Sequence, residues 1–232
     1  MPIGSSLPKQ FGNRLLAGLS GNAFNRIKTK LVPIDLKSGQ ILIDAGEPIT
    51  HVYFPESGLI SLLATTSNSA LEVAIAGRSG MVGFSAYLGA ARSSCRALVQ
   101  ANGFAVRMNA EDFIAECITN PQLQRSVVQY GDSLITQISQ SALCSRFHKV
   151  GARVARRLLI AADEMFSNEF RLTHQALAKI LGVRREGVTL AARTFQDQGI
   201  IDYRRGGVAI LNRGALELLS CECYSVLKGD RL

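Results

Sequence analysis

The stretch LTHQALAKILGVRREGVTLAARTFQDQGII, from Leu172 to Ile201, predicts two helices joined by a tight turn. Thr173 is suited to cap the first helix, because its hydroxyl can accept hydrogen bonds from free backbone N–H groups. Gly182 is suited to end that helix, because a residue without Cβ readily adopts the left-handed conformation. The predicted buried faces are Ala176, Leu177, Ile180 and Leu181 in the first helix, and Val188, Ala191, Ala192 and Phe195 in the second.

Charged side chains mark the start of the second helix. Arg184, Arg185 and Glu186 stand together there and would be costly to bury. Thr189 lies one turn after Arg185 on the same exposed face. Two short strands follow, at 200–203 and 208–210, joined by Arg-Arg-Gly-Gly at 204–207. This order predicts a helix-turn-helix followed by a hairpin, or wing, with a basic tip.

Positive charge is concentrated in the same region. Between Arg171 and Arg213 eight basic residues stand against three acidic ones, in a chain whose net charge is +8. An α-helix fits the major groove of DNA, where its N-terminal residues meet base edges. We therefore predict that this region binds double-stranded DNA. The predicted base-reading residues are Arg185, Glu186 and Thr189, and the predicted phosphate-binding residues are Thr173, His174, Gln175, Arg184, Arg204 and Arg205.

The N-terminal half of the chain has a different residue pattern. A helix is expected from about Asn13 to Lys30, and short β-rich runs then alternate with glycine-containing turns up to about Phe113. Runs of this kind, such as 40–43, 51–54 and 71–75, are typical of a β-sandwich or β-roll. The expected fold class is therefore α+β, with an N-terminal antiparallel β-roll, a long dimerisation helix and a C-terminal winged helix-turn-helix domain.

A long helix is predicted between these two parts, because residues 122–147 contain one glycine and no proline. Its apolar residues recur at spacings of three and four, as in a coiled-coil seam: Val128, Gly131, Ile135, Ile138 and Ala142. This narrow stripe favours a second copy of the helix as its partner, and packing on the chain's own β-roll is the alternative. A further helix is expected at Val150–Met165 and a loop at 166–170. The predicted domains are a sensor domain at 1–120, the dimerisation helix at 121–149 and the DNA-binding domain at 150–232.

The composition excludes several classes. The five cysteines form no CxxC pair, which favours a reducing compartment over a disulfide framework. We expect a soluble, cytoplasmic protein with no membrane partner, because no long apolar segment and no signal-like core is present. Cys221 and Cys223 have no matching Cys/His cluster nearby in the sequence, and His51, His148 and His174 are scattered, so we expect no metal and no cofactor. No nucleophile–base pair is evident, which argues against an enzyme.

The chain resembles the Crp/Fnr family of bacterial transcription regulators from about residue 13 to 212. The family's helix-turn-helix pattern is matched by Thr173, Leu177, Ala178, Ile180, Gly182, Arg185, Glu186 and Val188, and its β-roll by LKSGQILIDAGEPITHVYFPESGLISL at 36–62. The resemblance implies a dimeric regulator on a near-palindromic operator, with RNA polymerase as a further partner to consider. It also implies that Arg185 reads guanine and that Glu186 accepts from cytosine, as base-edge chemistry allows.

This sequence departs from the family pattern at two positions of the second helix. Arg184 replaces a small hydroxyl residue that would cap the helix, and Leu190 stands where other members have another base-reading Arg. The Fnr-like branch binds an iron–sulfur cluster through several N-terminal cysteines, whereas the first 94 residues here contain none.

The residues that bind cyclic AMP in the family are also changed. The family's Gly-Glu pair falls on Gly83-Phe84, and no Asp or Glu stands between Glu72 and Glu111. A buried ribose hydroxyl would therefore lack its carboxylate, and we predict no control by cyclic AMP. A different small-molecule effector and no effector at all both remain open. The candidate effector pocket is Phe84, Arg92, Ser93, Ser94, Ile138 and Ser139. The alternative for the whole chain is a β-roll ligand-sensing module or an enzyme without specific DNA binding.

Overall fold

The computed structural model describes residues 11–19 and 21–229. The first residues of the predicted sensor domain and the last residues of the predicted DNA-binding domain therefore lie outside the described residues. The chain divides into two compact units. The first holds the described residues up to Leu62 together with Ile75–Leu134, and the second holds Leu63–Ala74 and the residues from Ile135 onward. The division falls inside the long helix, and the domain boundaries predicted at 120 and 149 stay a prediction.

The described part of the first unit begins with two short helices, α1 (Arg14–Ala17) and α2 (Gly21–Lys30), where one continuous helix was predicted. Gly18 caps the C-terminus of α1, and Gly21 at the start of α2 has a φ of +58°, which a continuing helix does not allow. The Asn13 side chain caps α1 and also donates to the carbonyls of Pro55 and Gly80, at 3.0 and 2.8 Å. These bonds attach the N-terminal helices to the strands.

Seven antiparallel strands follow in the described part of this half and confirm the predicted β-roll. They are β1 (Val32–Leu36), β2 (Ile41–Ile43), β3 (His51–Pro55), β4 (Leu59–Thr65), β5 (Ala70–Ala76), β6 (Arg96–Ala101) and β7 (Gly103–Asn109). One sheet has the order β1-β7-β3 and the other β2-β6-β4-β5. Side chains of β6 alternate between buried and half-buried positions, as expected for a strand with one face on a core.

Helix α3 (Ala110–Thr119) leads into the long helix α4 (Pro121–Phe147), whose predicted bounds are confirmed to within one residue. One residue of its predicted seam departs from the expectation. Gly131 is buried, and a Cβ added to it would lie 2.5 Å from Cζ of the Phe84 ring. The Phe84 ring covers the stripe at this point, so Gly131 packs on its own chain instead of facing a second one.

The second unit contains α5 (Val150–Met165), a three-stranded sheet and four further helices. In chain order these are β8 (Glu169–Arg171), α6 (His174–Leu181), α7 (Arg185–Asp197), β9 (Ile201–Arg204), β10 (Gly207–Ile210), α8 (Arg213–Leu219) and α9 (Cys223–Gly229). The sheet order is β8-β10-β9. The predicted loop at 166–170 is wrong for its last two residues, because they belong to β8, whose residues 169–171 pair with 207–209 of β10. A three-residue strand is too short to show alternation in the sequence.

A buried ion pair fixes α5 within this unit. Arg157 is 1% exposed, and its Nε and Nη2 donate to the two carboxylate oxygens of Glu72 at 2.6 and 3.1 Å. Glu72 belongs to the 63–74 segment of the same unit. Removing one member of such a pair costs about 3–5 kcal/mol, because the remaining charge stays buried without its counter-ion.

The expectation that Cys221 and Cys223 have no Cys or His neighbours is wrong. The structure places Cys144 and His148, at the end of α4, next to them. Their separation of more than 70 positions in sequence concealed this cluster. None of the described helices combines the length and the apolar character that crossing a membrane requires.

Candidate DNA-binding surface

The first helix of the helix-turn-helix is capped as the sequence predicts. Thr173 Oγ1 accepts from the backbone N–H of Ala176 at 3.1 Å, and Gly182 ends α6 with a φ of +62°. The buried face differs in one residue: Ala178 is buried, whereas Ala176 is half-buried. The cap hydroxyl leaves the N–H groups of His174 and Gln175 without intrahelical partners, as at every helix start. A phosphate could bind there.

Helix α7 has two distinct faces. Val188, Ala191, Ala192 and Phe195 are all buried, as predicted. At about 100° per residue these four span one side of the helix. The opposite side carries a contiguous, shallow surface lined by Arg185, Glu186, Thr189, Leu190 and Arg193. The helix therefore presents a polar and basic face while its apolar face holds it in the core.

The charged residues at the start of α7 are exposed and available. Arg184 occupies the N-cap position without a side-chain capping bond, as its residue type predicts. Within the described residues, the side chains of Arg184, Arg185 and Glu186 have neither an ion pair nor a hydrogen bond, and all three are exposed. A nucleic acid could bind them without first breaking an internal contact.

His174 joins α6, α7 and the following hairpin instead of facing solvent. Its Nδ1 lies 3.1 Å from Thr189 Oγ1, and its ring packs edge-on against Tyr203 with centroids 4.4 Å apart. The Thr189 hydroxyl also lies 3.0 Å from the carbonyl of Arg185, and when it donates its only hydrogen there, its oxygen can accept from Nδ1. His174 Nε2 is buried and has no partner among the described residues. The ring therefore contacts Thr189 and Tyr203, and the phosphate contact predicted for His174 depends on its backbone N–H at the start of α6.

The surroundings of His174 favour the neutral form of its ring. Burial lowers the pKa of His174 below its ordinary value of 6.5, and the positive charge of Arg185 lowers it further. Burial likewise raises the pKa of the Tyr203 hydroxyl beside it. A neutral imidazole has one N–H to donate, which agrees with a single hydrogen bond to Thr189.

The hairpin β9–β10, called the wing below, ends in a turn of two residues. Arg205 and Gly206 both have positive φ, +50° and +76°, and Arg204 pairs with Gly207 across the turn. Positive φ at both central positions is the type I′ geometry, which matches the twist of the strands. An Arg in this conformation is unusual, because its Cβ crowds the following carbonyl. The turn directs the basic side chains of Arg204 and Arg205 to solvent, although Arg204 also pairs with Asp202 at 2.9 Å.

A backbone contact fixes the wing beside the start of α6. Leu172 N–H donates to the carbonyl of Gly206 at 2.9 Å. A Cβ on Gly206 would lie 3.1 Å from Thr173 Cγ2, so the two segments are in close contact. The wing tip and the α6 N-terminus, predicted separately as phosphate-binding elements, therefore form one surface.

Sequence reasoning missed a buried arginine that positions the turn. Arg153 of α5 is buried, and its Nη2 donates to the carbonyl of Leu181 in the last turn of α6. A cation at a helix C-terminus satisfies a free carbonyl and opposes the helix dipole. The arginines that stand among the apolar residues of α5 were the available signal.

The predicted effector residues have partners outside the predicted set or are exposed. Phe84 packs edge-on against Tyr130, with centroids 5.8 Å apart, and covers Gly131. Arg92 is exposed and donates to the carbonyl of Gly46 at 2.7 Å. Ser93 donates to the carbonyl of Cys95 at 2.7 Å, and Ser94 is exposed. Ile138 and Ser139 are exposed on the part of α4 that belongs to the second unit.

The predicted seam residues of α4 other than Gly131 remain uncovered in the single chain. Val128, Ile135 and Ile138 are 54%, 65% and 42% exposed, and Ala142 is also exposed. Large aliphatic side chains in a row on one helix are costly to leave in water.

Comparisons with known proteins agree with this architecture. The family model of the cyclic nucleotide-binding domain matches residues 33–120, and that of the Crp-like helix-turn-helix domain matches residues 152–219. No curated protein sequence matches the chain significantly.

Several solved structures share the fold. FixK2 from Bradyrhizobium japonicum aligns with a TM-score of 0.71 at 15% identity, over 82% of this chain and 98% of that one. A CRP-family transcriptional regulator from Thermus thermophilus gives 0.67 at 17% identity, over 81% and 96%. CLP from Xanthomonas campestris, a c-di-GMP responsive global regulator, gives 0.66 at 16% identity, over 81% and 97%.

At these identities the solved structures establish the fold, and the two family models identify its parts. A cyclic nucleotide-binding β-roll, a long helix and a Crp-like helix-turn-helix occur here in one chain and in that order. The family is one of transcription regulators, which argues against the alternative of an enzyme. The chain belongs to the Crp/Fnr family of DNA-binding transcription regulators.

Proposed function

We propose that this regulator acts as a homodimer that reads a near-palindromic operator and is not controlled by cyclic AMP. The observation that carries the proposal is the start of α7, where the exposed side chains of Arg185 and Glu186 have no ion pair or hydrogen bond within the described residues. A wing with a basic tip follows α7 in the same unit. Arginine can donate two hydrogen bonds to guanine O6 and N7, and a carboxylate can accept from the cytosine amino group.

The remaining polar residues divide into two roles. Thr173, Gln175, Arg184, Arg204 and Arg205 bind phosphates, because they lie at the α6 start, the α7 start and the wing tip, all exposed. His174 is a positioning residue that fixes the Thr189 side chain through its Nδ1–H. Thr189 then contacts a base through its methyl group or through the remaining lone pair of its hydroxyl.

The homodimer is supported by the uncovered aliphatic side chains of α4. Two copies of the helix packed along Val128, Ile135, Ile138 and Ala142 would remove these side chains from water. A two-fold dimer places its recognition helices about one DNA turn apart, so the operator should have two-fold symmetry as well. Contact with RNA polymerase stays a prediction from the family resemblance.

Independence from cyclic AMP is supported by the packing of Phe84. The ring stands where the family has a carboxylate, and it is used to fill the space between Gly131 and Tyr130. A phenyl ring offers no acceptor to a ribose hydroxyl. Arg92 also makes a contact of its own with Gly46.

Two measurements on the full chain test these statements. Gel shifts with genomic fragments at two salt concentrations should show complexes that survive an excess of unrelated duplex. Complexes lost equally to any competitor would contradict sequence-specific binding. Calorimetry with cyclic AMP and cyclic GMP should give no heat of binding, and micromolar affinity for either would contradict the assignment of the β-roll.

A further inference from the structure

Four potential metal ligands meet at the end of α4. Cys144 lies in its last turn, and His148 follows one turn later in the link to α5. Cys221 lies between α8 and α9, and Cys223 is the first residue of α9. Their ligand atoms all lie within 4.8 Å of one another. The three cysteines are buried and the histidine is half-buried. None of these residues belongs to the DNA-binding surface described above.

We infer that Cys144, His148, Cys221 and Cys223 bind one zinc ion as a structural site. Three thiolates and one imidazole form one of the common tetrahedral sets for zinc. All four positions would be filled by protein atoms, which is typical of structural rather than catalytic sites.

The distances in the cluster match the edges of such a tetrahedron. Zn–S bonds of about 2.3 Å place two sulfurs about 3.7 Å apart, and a sulfur and a nitrogen slightly closer. Cys144 Sγ and Cys221 Sγ are 3.5 Å apart, and Cys223 Sγ lies 3.5 Å from His148 Nδ1. The remaining separations, within 4.8 Å, require only small rotations of the side chains.

The orientation of His148 gives independent support. Its Nε2 lies 3.0 Å from Oε1 of Glu222 and donates to it, which leaves Nδ1 of the neutral ring, 3.5 Å from Cys223 Sγ, free to bind a metal through its lone pair. A metal-bound histidine usually donates its second ring N–H to a carboxylate or carbonyl in this way. A cysteine pair that only formed a disulfide would not need a histidine oriented in this way beside it.

The charge of the surroundings also fits. Zinc with three thiolates and a neutral imidazole carries one negative charge, which a nearby cation can offset. Arg156 is 7% exposed, its Nε has no hydrogen-bond partner among the described residues, and it interacts electrostatically with all three cysteines. The site would then connect the α8–α9 segment to the end of α4 with the buried charges balanced.

Metal analysis of the purified full chain tests the inference. The chain, prepared under reducing conditions without chelator, should contain about one zinc per chain. After removal of zinc it should take up one Co²⁺ and show the visible absorption of tetrahedral cobalt with thiolate ligands. Cys223→Ser and His148→Asn should lose the metal, whereas the matched control Cys95→Ser, outside the cluster, should keep it. Glu222→Gln should keep the metal with roughly 10- to 100-fold lower affinity.

Four outcomes would overturn the assignment. One is a native chain that holds no zinc and takes up no Co²⁺ with its thiols reduced. Another is an equal metal content in Cys223→Ser and the native chain. The third is iron in place of zinc, and the fourth is a Cys144–Cys221 disulfide in the mass spectrum of the freshly purified protein. Should the ligand variants fail to fold, the cobalt spectrum of the native chain still decides the question.

Discussion

Replacing Arg185 by alanine should remove discrimination at one base pair of the operator without affecting the fold. The side chain is exposed at the start of α7 and has no ion pair or hydrogen bond within the described residues. Exposed substitutions of this kind change the free energy of unfolding by no more than about 0.5 kcal/mol. A bidentate contact with guanine contributes about 1–3 kcal/mol of discrimination, so affinity for the best site should fall roughly 5- to 150-fold.

Fluorescence anisotropy at one fixed salt concentration is a suitable assay for Arg185→Ala. Three duplexes are needed: the best site, the same site with one base pair changed, and a random sequence. The variant should bind the first two alike and lose little on the third. The matched control is Arg184→Ala, one residue earlier, which should weaken binding to all three by similar factors. Equal losses on the best and random duplexes for Arg185→Ala would refute its role as a base reader.

Three further predictions concern the apolar stripe of α4, the wing and the half-buried His174. Ile138→Asp should convert the dimer to a monomer in sedimentation, whereas Gln129→Asp, about 180° around α4, should not; a dimeric Ile138→Asp would show that the seam is wrong. Arg205→Gly should relieve the strain of the left-handed φ of +50° and raise the free energy of unfolding by up to about 1 kcal/mol. The same variant should bind all DNA sequences more weakly, and the slope of log affinity against log salt concentration should become smaller by about one. The pKa of His174, measured by NMR, should lie below 6.5 and change little on DNA binding, whereas a rise would indicate a phosphate contact.

The lowered pKa of His174 also has a consequence for stability. Between the lowered value and about 6.5 the unfolded chain binds more protons than the folded one. The free energy of unfolding should therefore fall as the pH drops through this range. Urea unfolding of the native chain and of His174→Gln should show a weaker pH dependence in the variant, and identical dependence would contradict the burial of the ring.

Local rules of the sequence were sufficient for the helix-turn-helix. The buried face of α7 follows from its helical period, and Thr173 and Gly182 act through their nearest neighbours in the chain. The bounds of α4 likewise follow from the absence of breakers over a long stretch. These features need no knowledge of which distant segments meet.

The features that were missed depend on contacts between distant segments. The Phe84 ring, 47 positions earlier in the chain, covers Gly131 of the predicted seam. The His174 ring packs against Tyr203 of the wing. The sulfur atoms of Cys144 and Cys221 meet across 77 positions, so the cysteine spacing alone gave no sign of a four-ligand cluster. In each case packing decided the role of a residue whose type was already informative.

Selection of the genomic fragments that the full chain binds would show whether the protein is a homodimer that reads two-fold symmetric DNA. The enriched fragments should share one near-palindromic motif, with half-sites centred about 10 base pairs apart or a multiple of that spacing. A G·C pair should occupy the same place in each half-site, where Arg185 and Glu186 would contact it. Fragments with no shared motif, or with a single half-site without symmetry, would show that the chain does not read DNA as a two-fold dimer.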